Sequence, residues 1–398
     1  MDITIFPKKL HGSLTAIPSK SQAHRMLICA AFADRPTFLH CPETNRDIDA
    51  TAQCLNGLGA EICRTADGFS IEPVREIPKT AALPCQDSGS TLRFLLPVAG
   101  ALGCDATFLM TGRLPQRPLS PMWEEMERMG CTLSRPTENT IRCTGRLKPG
   151  VYRISGGISS QFITGLLLAC SLIPGESRIE VLGKLESAPY VTMTQRAMAL
   201  FGKPAENFSI SGGSFRSPGE LTVEGDWSNA AFFLAANALG SSVEVRGLHG
   251  DSPQGDRACA QLLPALAAAN QTICAGDIPD LVPILAVAAA ASHGAVFTNI
   301  RRLRLKESDR VESVIAMLKA LGGEASATED TLTVYGTGLR GGAVDSRNDH
   351  RIAMAAAIAA TAAKGNVTIL GAECVEKSYP GFFEEYQKLG GSYEQHLR

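Results

Sequence analysis

Residues 19–32 read SKSQAHRMLICAAF, a short polar opening that leads into an apolar run with helical spacing. The same plan recurs five more times, with the openings DSGSTLR, GISSQF, GDWSNAA, GDIPDLVP and SRNDHRIA. The six runs are residues 19–32, 87–102, 158–173, 226–239, 277–291 and 346–360. Because these runs are apolar nearly all round, they predict six buried helices. A side chain suited to cap the helix opens each run; the candidates are Ser19, Asp87, Ser159, Asp226, Asp277 and Asn348.

A second, amphipathic kind of helix follows each buried one, and most copies end at a glycine, as helix C-termini commonly do. The copies are residues 47–59, 121–130, 191–202, 257–269, 308–322 and 380–390. Strand-like pieces separate the helices. The repeat is roughly 65 residues long, too long for a solenoid of the ankyrin kind. Three units with buried helices inside make one globular domain, so six units predict two domains.

The repeat also predicts where the domains divide. The fourth unit opens at Asp226, and the first unit leaves the N-terminal stretch unused. We therefore expect an inserted domain of residues 17–225 and a discontinuous domain of residues 1–16 plus 226–398. The N-terminal strand, residues 2–14, is expected to complete the sheet of the discontinuous domain.

The composition excludes several classes of protein. The chain has 398 residues, 44% of them hydrophobic, and its net charge of −2 argues against a nucleic-acid partner. Its twelve cysteines are scattered, without CxxC or zinc spacing, which predicts reduced thiols, no metal site and a cytoplasmic location. The longest uncharged apolar stretch, residues 281–292, is too short to span a membrane, which needs about 20 residues. The N-terminus lacks the pattern of a signal peptide.

Cations cluster at helix starts, where the helix dipole disfavours positive charge. Singly, each fits a solvated surface or an ordinary cap. Together, in a chain of net charge −2, they predict one or two strongly anionic ligands carrying phosphate or carboxylate groups. The cations are Lys20, Arg25, Arg93, Arg117, Lys306, Arg310, Arg351 and Lys377.

The motifs PSKSQAHR, SGSTLR, RLPQRPL, GGISSQF, PDLVP, RLKESDR, NDHR and EKSYPGFF follow one another along the chain. In order and spacing they resemble the 5-enolpyruvylshikimate-3-phosphate synthase family over essentially the whole length. The resemblance implies an α/β, two-domain enolpyruvyl transferase fold, an inside-out α/β barrel. Each domain would hold three βαβαββ units with buried central helices, and the active site would lie in the interdomain cleft.

The resemblance also implies a reaction. A transferase of this family moves the enolpyruvyl group of phosphoenolpyruvate to the 5-hydroxyl of shikimate 3-phosphate, through a tetrahedral intermediate, and releases phosphate. The reaction belongs to the shikimate pathway to chorismate and aromatic amino acids. We therefore expect two small anionic substrates, no cofactor, no nucleic-acid or membrane partner, and a monomer.

The resemblance assigns residues to each substrate. Positions matching the shikimate 3-phosphate pocket are Lys20, Ser21, Arg25, Ser159, Ser160, Gln161, Ser187, Tyr190, Asp280 and Lys306. Positions matching the phosphoenolpyruvate pocket are Lys20, Gly89, Arg117, Gln161, Arg310, Arg351 and Lys377. Supporting positions are Arg93, Asp349 and His350. Asp280 and Glu307 match the proton-transfer pair, Asp280 as the base and Glu307 as the acid, with Lys20 as the alternative acid.

Two departures from the family pattern affect details. Arg302 stands where some members carry an asparagine that contacts the shikimate phosphate, so that role is not transferred. Phe94 replaces the proline that often follows the arginine matching Arg93. Both leave the reaction intact but leave inhibitor sensitivity open.

Two alternatives remain open. The related UDP-N-acetylglucosamine enolpyruvyl transferases share the fold and the donor, but their mobile loop usually carries a cysteine, and residues 112–118 hold none. A non-catalytic anion-binding domain would be expected to have lost Lys20, Asp280 or Glu307, and all three are present. Phosphate release that requires both substrates separates these possibilities.

Overall fold

Each of the six polar-to-apolar runs forms a helix that is buried over most of its length. The structure, a computed structural model, describes residues 1–396. None of the helices in that part of the chain is both long and apolar enough to cross a membrane. The prediction of six buried helices is confirmed.

The α-helices of the described residues alternate between the buried and the amphipathic kind. They are α1 Lys20–Ala31, α2 Arg46–Gly57, α3 Gly89–Leu102, α4 Met122–Arg128, α5 Ser160–Cys170, α6 Ala188–Leu200, α7 Trp227–Ala238, α8 Cys259–Ala268, α9 Val282–Ala290, α10 Arg310–Ala320, α11 His350–Ala359 and α12 Phe382–Lys388.

Short strands separate these helices. They are β1 Asp2–Phe6, β2 His11–Thr15, β3 Thr37–His40, β4 Glu61–Arg64, β5 Gly68–Glu72, β6 Thr80–Gln86, β7 Asp105–Met110, β8 Cys131–Ser134, β9 Thr140–Gly145, β10 Val151–Ser155, β11 Glu176–Leu182, β12 Ser209–Ser211, β13 Glu220–Thr222, β14 Ser242–Arg246, β15 Gln271–Cys274, β16 Ala295–Thr298, β17 Glu324–Ala327, β18 Thr331–Tyr335, β19 Gly342–Asp345, β20 Val367–Leu370 and β21 Ser392–His396.

The chain divides into two compact units. Unit 1 is Met1–Ile17 together with the chain from Gly225 onward, and unit 2 is Pro18–Glu224. Each unit has its own continuous apolar core. Helices α1, α3 and α5 run through the core of unit 2, and α7, α9 and α11 through the core of unit 1.

Each unit carries three sheets outside its central helices. In unit 2 the strand orders are β13-β3-β5-β4, β6-β7-β9-β8 and β10-β11-β12. In unit 1 they are β19-β20-β1-β21, β15-β16-β18-β17 and β14-β2. The pair β6–β7 shows the repeated pattern: the two strands are parallel, with Thr80 opposite Asp105, and helix α3 connects them.

The N-terminal stretch forms two strands, not the single strand predicted over residues 2–14. Strand β1 pairs with β20 and β21, and β2 pairs in parallel with β14. Pro7 follows β1 directly and has no N–H to donate to a sheet, so the strand ends there. The stretch therefore completes two sheets of unit 1.

The predicted caps are correct at two helices and incomplete at a third. Ser159 Oγ accepts from Gln161 N at 3.3 Å, and Asp226 Oδ1 accepts from Asn229 N at 2.8 Å. Ser19 holds the N-cap position of α1, but its side chain makes no capping hydrogen bond. Its backbone N–H donates instead to Glu224 O at 2.8 Å.

At two other helices the cap lies one residue after the predicted one. Ser88, not Asp87, caps α3 and accepts from Thr91 N at 3.3 Å. Asp349, not Asn348, caps α11. Asn348 has a left-handed φ of 55°, whereas an N-cap residue has extended backbone, so the helix begins only after the next residue.

The fifth central helix begins later than predicted. Asp277 does not cap it, because α9 starts at Val282, with Pro283 in its first turn. A helix started at Asp277 would place Pro283 in its interior, where proline removes a backbone hydrogen bond and clashes with the preceding turn. In the first turn the missing N–H costs nothing.

A glycine allows the close approach of α3 and α5. A Cβ built on Gly165 would lie 2.2 Å from Arg93 O, well inside contact distance. Only glycine fits there without moving the backbone. The two helix starts that carry Arg93 and Gln161 are thereby held side by side.

Candidate active site

Arg310, the first residue of α10, gathers three carboxylates in unit 1, and its side chain is only 1% exposed. Nη1 donates to Asp280 Oδ1 at 2.7 Å, and Nη2 donates to Glu307 Oε2 at 2.7 Å. Nε donates to Asp349 Oδ2 at 3.0 Å. One guanidinium thus brings together both residues predicted to transfer protons.

Asp349 links the starts of two helices beside this cluster. Its Oδ1 accepts from Arg351 N at 3.0 Å, which caps α11. Its Oδ2 accepts from Ser308 Oγ at 3.0 Å, and Ser308 immediately precedes the cap of α10. Asp349 also accepts from Arg310, so its carboxylate holds the starts of α10 and α11 next to each other.

Asp280 is surrounded by cations. Besides Arg310, Arg351 Nη2 lies 3.3 Å from its Oδ2, and Lys306 Nζ lies 3.4 Å from its Oδ1. Burial by itself would raise the pKa of this carboxyl group. The three cations outweigh burial and hold the pKa of Asp280 well below its usual value. Asp280 is therefore ionised.

The two cations on the 306–310 stretch respond in opposite ways. Burial lowers the pKa of Lys306, although the charge of Asp280 acts against this. Burial also works to lower the pKa of Arg310, but the surrounding carboxylates outweigh it and raise the pKa. Arg310 is thus charged at neutral pH.

Asp256 is a buried carboxyl group that the sequence reasoning missed. It lies in a 3₁₀ helix, Gly255–Ala258, and is 3% exposed. Burial and the charge of Asp280 raise its pKa to about 7, whereas Arg351 acts in the opposite direction. The local sequence, SPQGDRA, looks like an ordinary polar loop and gives no signal of this burial.

Lys377, predicted to lie at a helix start, instead ends a 3₁₀ helix, Ala372–Lys377. Helix α12 begins only at Phe382, after Pro380, because a residue preceding proline is disfavoured in the helical region. Lys377 and His350 are both buried in unit 1. Neither is among the hydrogen-bond partners of Arg310.

In unit 2, Lys20 forms an ion pair with Asp47. The Nζ–Oδ2 distance is 2.9 Å, and the side chains are 15% and 6% exposed. Asp47 lies in the first turn of α2, where Asn45 is the cap and accepts from Ile48 N at 3.1 Å. The sequence reasoning missed Asp47 because an acidic residue in the first turn of a helix is commonplace.

Arg25 is buried and bound on several sides. Its Nε donates to Thr194 Oγ1 at 2.7 Å, Nη2 donates to Tyr190 O at 3.0 Å, and Nη1 donates to Ser21 O at 2.5 Å. The guanidinium carbon lies 5.0 Å from the centre of the Phe94 ring. Burial lowers the pKa of Arg25 to about 10, so it remains charged at neutral pH. Arg25 therefore contacts Ser21 and Tyr190, two further positions predicted to bind shikimate 3-phosphate.

Gly89 lies against two guanidinium groups. A Cβ at this position would be 2.6 Å from Arg117 Nη1 and 3.1 Å from Arg93 Nη1. Arg93 Nη1 also donates to Gln161 Oε1 at 2.7 Å, and Gln161 Nε2 donates to Ser90 Oγ at 2.9 Å. Three of the predicted phosphoenolpyruvate positions of unit 2, Gly89, Arg117 and Gln161, are thus adjacent at the start of α3.

The remaining predicted residues lie at two helix starts of unit 2. Ser159 caps α5, and Ser160 is its buried first residue. Ser187 precedes α6 with a left-handed φ of 55°. Among residues 1–396, no group of three or more His, Cys, Asp or Glu side chains is arranged to hold a metal ion.

Comparison with known families identifies the chain. Residues 6–386 match the family described as EPSP synthase (3-phosphoshikimate 1-carboxyvinyltransferase). The chain belongs to the EPSP synthase family. It is 37% identical to the 3-phosphoshikimate 1-carboxyvinyltransferase of Clostridium kluyveri, over 99% of this chain and 98% of that protein. It is 38% identical to the same-named protein of Clostridium perfringens, over 98% of each.

A solved EPSP synthase from Acinetobacter baumannii has the same fold. The TM-score is 0.80, the identity is 25%, and the match covers 99% of this chain and 100% of the other. The family, the two-domain enolpyruvyl transferase fold and the assignment as a transferase, which the motifs predicted, are confirmed.

Proposed function

We propose that this member of the EPSP synthase family transfers the enolpyruvyl group of phosphoenolpyruvate to the 5-hydroxyl of shikimate 3-phosphate. The observation that carries the proposal is the bond of Arg310 to both Asp280 and Glu307. A single buried cation holds a candidate base and a candidate acid at the same place. The family names of its relatives support the choice of substrates.

The residues are proposed to act as the family resemblance implies. Shikimate 3-phosphate would be held by Lys20, Ser21, Arg25, Ser159, Ser160, Gln161, Ser187, Tyr190, Asp280 and Lys306. Phosphoenolpyruvate would be held by Lys20, Gly89, Arg117, Gln161, Arg310, Arg351 and Lys377. We further propose that residues 17–225 form one domain and residues 1–16 plus 226–398 form the other.

Addition begins with removal of a proton from the 5-hydroxyl. The hydroxyl oxygen bonds C2 of phosphoenolpyruvate while C3 gains a proton, which gives the tetrahedral intermediate. Asp280, which is ionised among its cations, is the proposed base. When the carboxylate of phosphoenolpyruvate binds Arg310 and Arg351, it competes with Asp280 for their charge. The pKa of Asp280 then rises, and its basicity rises with it.

Glu307 is the proposed acid that protonates C3. In the free protein its Oε2 accepts from Arg310 at 2.7 Å, which favours the carboxylate. The same competition for Arg310 weakens that bond and favours the protonated form that an acid requires. Lys20 is the alternative acid.

Elimination reverses the proton movement. C3 loses a proton, the bond between C2 and the phosphate oxygen breaks, and phosphate leaves with the bonding electrons. The cations hold two mutually repelling anions in reacting geometry and stabilise the departing phosphate.

The cellular setting is also proposed. All twelve cysteines are free, including Cys54 and Cys85, whose sulfurs are 4.0 Å apart. Free thiols at this separation support a reducing compartment, and we propose a cytoplasmic monomer. Sedimentation velocity of the purified protein tests the monomer against a dimer.

The experiment for the proposed function is an omission series. Phosphate release should require both phosphoenolpyruvate and shikimate 3-phosphate, and should stop when either is left out. Release with phosphoenolpyruvate alone would identify a phosphatase. No release under any condition, from a protein with a cooperative unfolding transition, would support a non-catalytic anion-binding protein.

A further inference from the structure

A second pair of polar residues lies one helical turn below the Lys20–Asp47 ion pair. His24 follows Lys20 by four residues on α1, and Thr51 follows Asp47 by four residues on α2, so each lies on the same helix face as its predecessor. His24 Nδ1 and Thr51 Oγ1 are 2.7 Å apart. Both residues are fully buried.

The hydrogen bonds continue from this pair to a third helix. Thr51 Oγ1 lies 2.7 Å from Thr91 Oγ1, and Thr91 Oγ1 lies 2.8 Å from Ser88 Oγ. Ser88 caps α3, whose first residue is Gly89. We call His24, Thr51, Thr91 and Ser88 the buried polar chain. It connects the starts of α1, α2 and α3.

At its His24 end the buried polar chain packs against an aromatic ring. The His24 ring meets the Phe94 ring edge-on, with centroids 6.2 Å apart. Burial lowers the pKa of His24 to about 3; the charge of Asp47 opposes this, while Lys20 and Arg25 add to it. His24 is therefore neutral at physiological pH and acts as a hydrogen-bonding group, not as a charge.

Thr51 is the central member of the buried polar chain, with His24 on one side and Thr91 on the other. Within residues 1–396, its hydroxyl is the hydrogen-bond partner of the His24 ring, since His24 Nε2 has none. The same hydroxyl bonds Thr91. Removing it would leave the buried His24 ring without a hydrogen-bond partner among these residues, which is costly, whereas Thr91 would keep its bond to Ser88. A shift of α1 against α2 is the simplest way to relieve that cost.

We propose that Thr51 and His24 are positioning residues for Lys20. By bonding one turn below the ion pair, they fix the register of α1 against α2, and so the place of the Lys20 ammonium group. Through Thr91 and Ser88 the same bonds fix the start of α3, where Gly89 lies. The catalytic part of this inference rests on the proposed function, because that function gives Lys20 its contact with substrate.

The variant that tests the inference is Thr51→Val, which keeps the shape of threonine and removes the hydroxyl. We expect kcat/KM for phosphoenolpyruvate to fall roughly 10- to 100-fold, as for a small misplacement of a catalytic group. Thr51→Ser keeps the hydroxyl and should restore most of the loss. Thr361→Val is the matched control, because the Thr361 hydroxyl is also buried and its one hydrogen bond within the described residues 1–396 is to Ile358 O, at 2.8 Å.

A double-mutant cycle separates positioning from a general structural role. If Thr51 acts through Lys20, adding Thr51→Val to Lys20→Met should lower the residual kcat/KM by less than about twofold. An equal factor in both backgrounds would overturn the inference, because the hydroxyl would then act independently of Lys20. Wild-type kcat and KM in a folded Thr51→Val protein would overturn it as well.

A readout without turnover keeps this test separate from the proposed function. The rate at which trinitrobenzenesulfonate modifies Lys20, measured by peptide mass spectrometry, should rise in Thr51→Val and stay at the wild-type value in Thr51→Ser and Thr361→Val. An unchanged rate in Thr51→Val would overturn the inference even if the wild type proved inactive with the proposed substrates. Should Thr51→Val not fold, His24→Leu, which removes the other partner of the same hydrogen bond, is judged by the same two outcomes.

Discussion

Asp280 Oδ1 lies 2.7 Å from Nη1 of Arg310, a buried arginine that binds two further carboxylates. The proposed base therefore shares its counterion with the proposed acid. An anion that takes part of that positive charge changes the basicity of both groups at once. In the proposed function, the carboxylate of phosphoenolpyruvate would thus change the proton affinity of both the base and the acid.

The first prediction concerns Asp280→Asn. The amide keeps the size of the side chain but removes the base, so kcat should fall about a hundred- to ten-thousand-fold. Binding of phosphoenolpyruvate, measured by equilibrium dialysis, should persist, because the variant removes a competitor for Arg310 and Arg351. Asp105→Asn is the matched control. Asp105 forms an exposed ion pair with Arg142 within a sheet of unit 2. A loss of binding with unchanged kcat would contradict the assignment.

The second prediction concerns Glu307→Gln. If Glu307 protonates C3, the variant should lose kcat and also the exchange of solvent deuterium into the methylene group of phosphoenolpyruvate. Nuclear magnetic resonance of the recovered substrate measures that exchange. Wild-type exchange in Glu307→Gln would assign the proton to another group, and Lys20 would become the leading candidate.

Some residues of the candidate site can be predicted from the sequence, and others cannot. The sequence correctly places Lys20, Arg310 and Arg351 at the starts of α1, α10 and α11, because a cation against the helix dipole is visible in the sequence itself. Asp47 and Asp256 have no such local signature. Their importance comes from burial and from partners far away in the chain, which only the folded structure brings together.

The differences between the predicted and the observed element boundaries have local causes, and some of these are visible in the sequence. Pro283 fits only the first turn of α9, which excludes Asp277 as its cap. The break after β1 falls at Pro7. The left-handed backbone of Asn348 is different, because tertiary packing selects it and asparagine merely tolerates it.

The third prediction concerns the pH dependence of stability and Asp256. Its pKa of about 7 lies above the ordinary 3.8, so between these values the folded protein keeps a proton that the unfolded chain has released. Stability from this group is complete below the ordinary pKa and is lost as the pH rises towards 7. Asp256→Asn removes that slope. The urea concentration at the midpoint of unfolding should therefore rise in the variant, relative to the wild type, as the pH goes from 5 to 8.

The comparison needs a control for general effects of charge. Asp251→Asn removes an exposed acidic group from the same loop and should shift the midpoint equally at both pH values. Parallel wild-type and Asp256→Asn curves from pH 5 to pH 8 would mean that Asp256 titrates normally in the folded protein.

The fourth prediction concerns Gly89→Ala. The added Cβ would lie 2.6 Å from Arg117 Nη1, so the guanidinium must move, but it is the flexible end of a long side chain. We expect little change in Tm and a rise in KM for phosphoenolpyruvate of roughly tenfold, equivalent to about 1.4 kcal/mol of binding. Gly250→Ala is the control, because a Cβ there meets nothing within 4 Å. An unchanged KM in Gly89→Ala would contradict the assignment of Arg117 to the phosphoenolpyruvate site.

The most direct test of the central claim offers both acceptors in one reaction. Purified protein is incubated with phosphoenolpyruvate, shikimate 3-phosphate and UDP-N-acetylglucosamine at equal concentrations, and the products are identified by mass spectrometry. We expect the enolpyruvyl group on shikimate 3-phosphate alone, with one phosphate released for each product formed. An enolpyruvyl group on the sugar nucleotide, or on neither acceptor, would contradict the account.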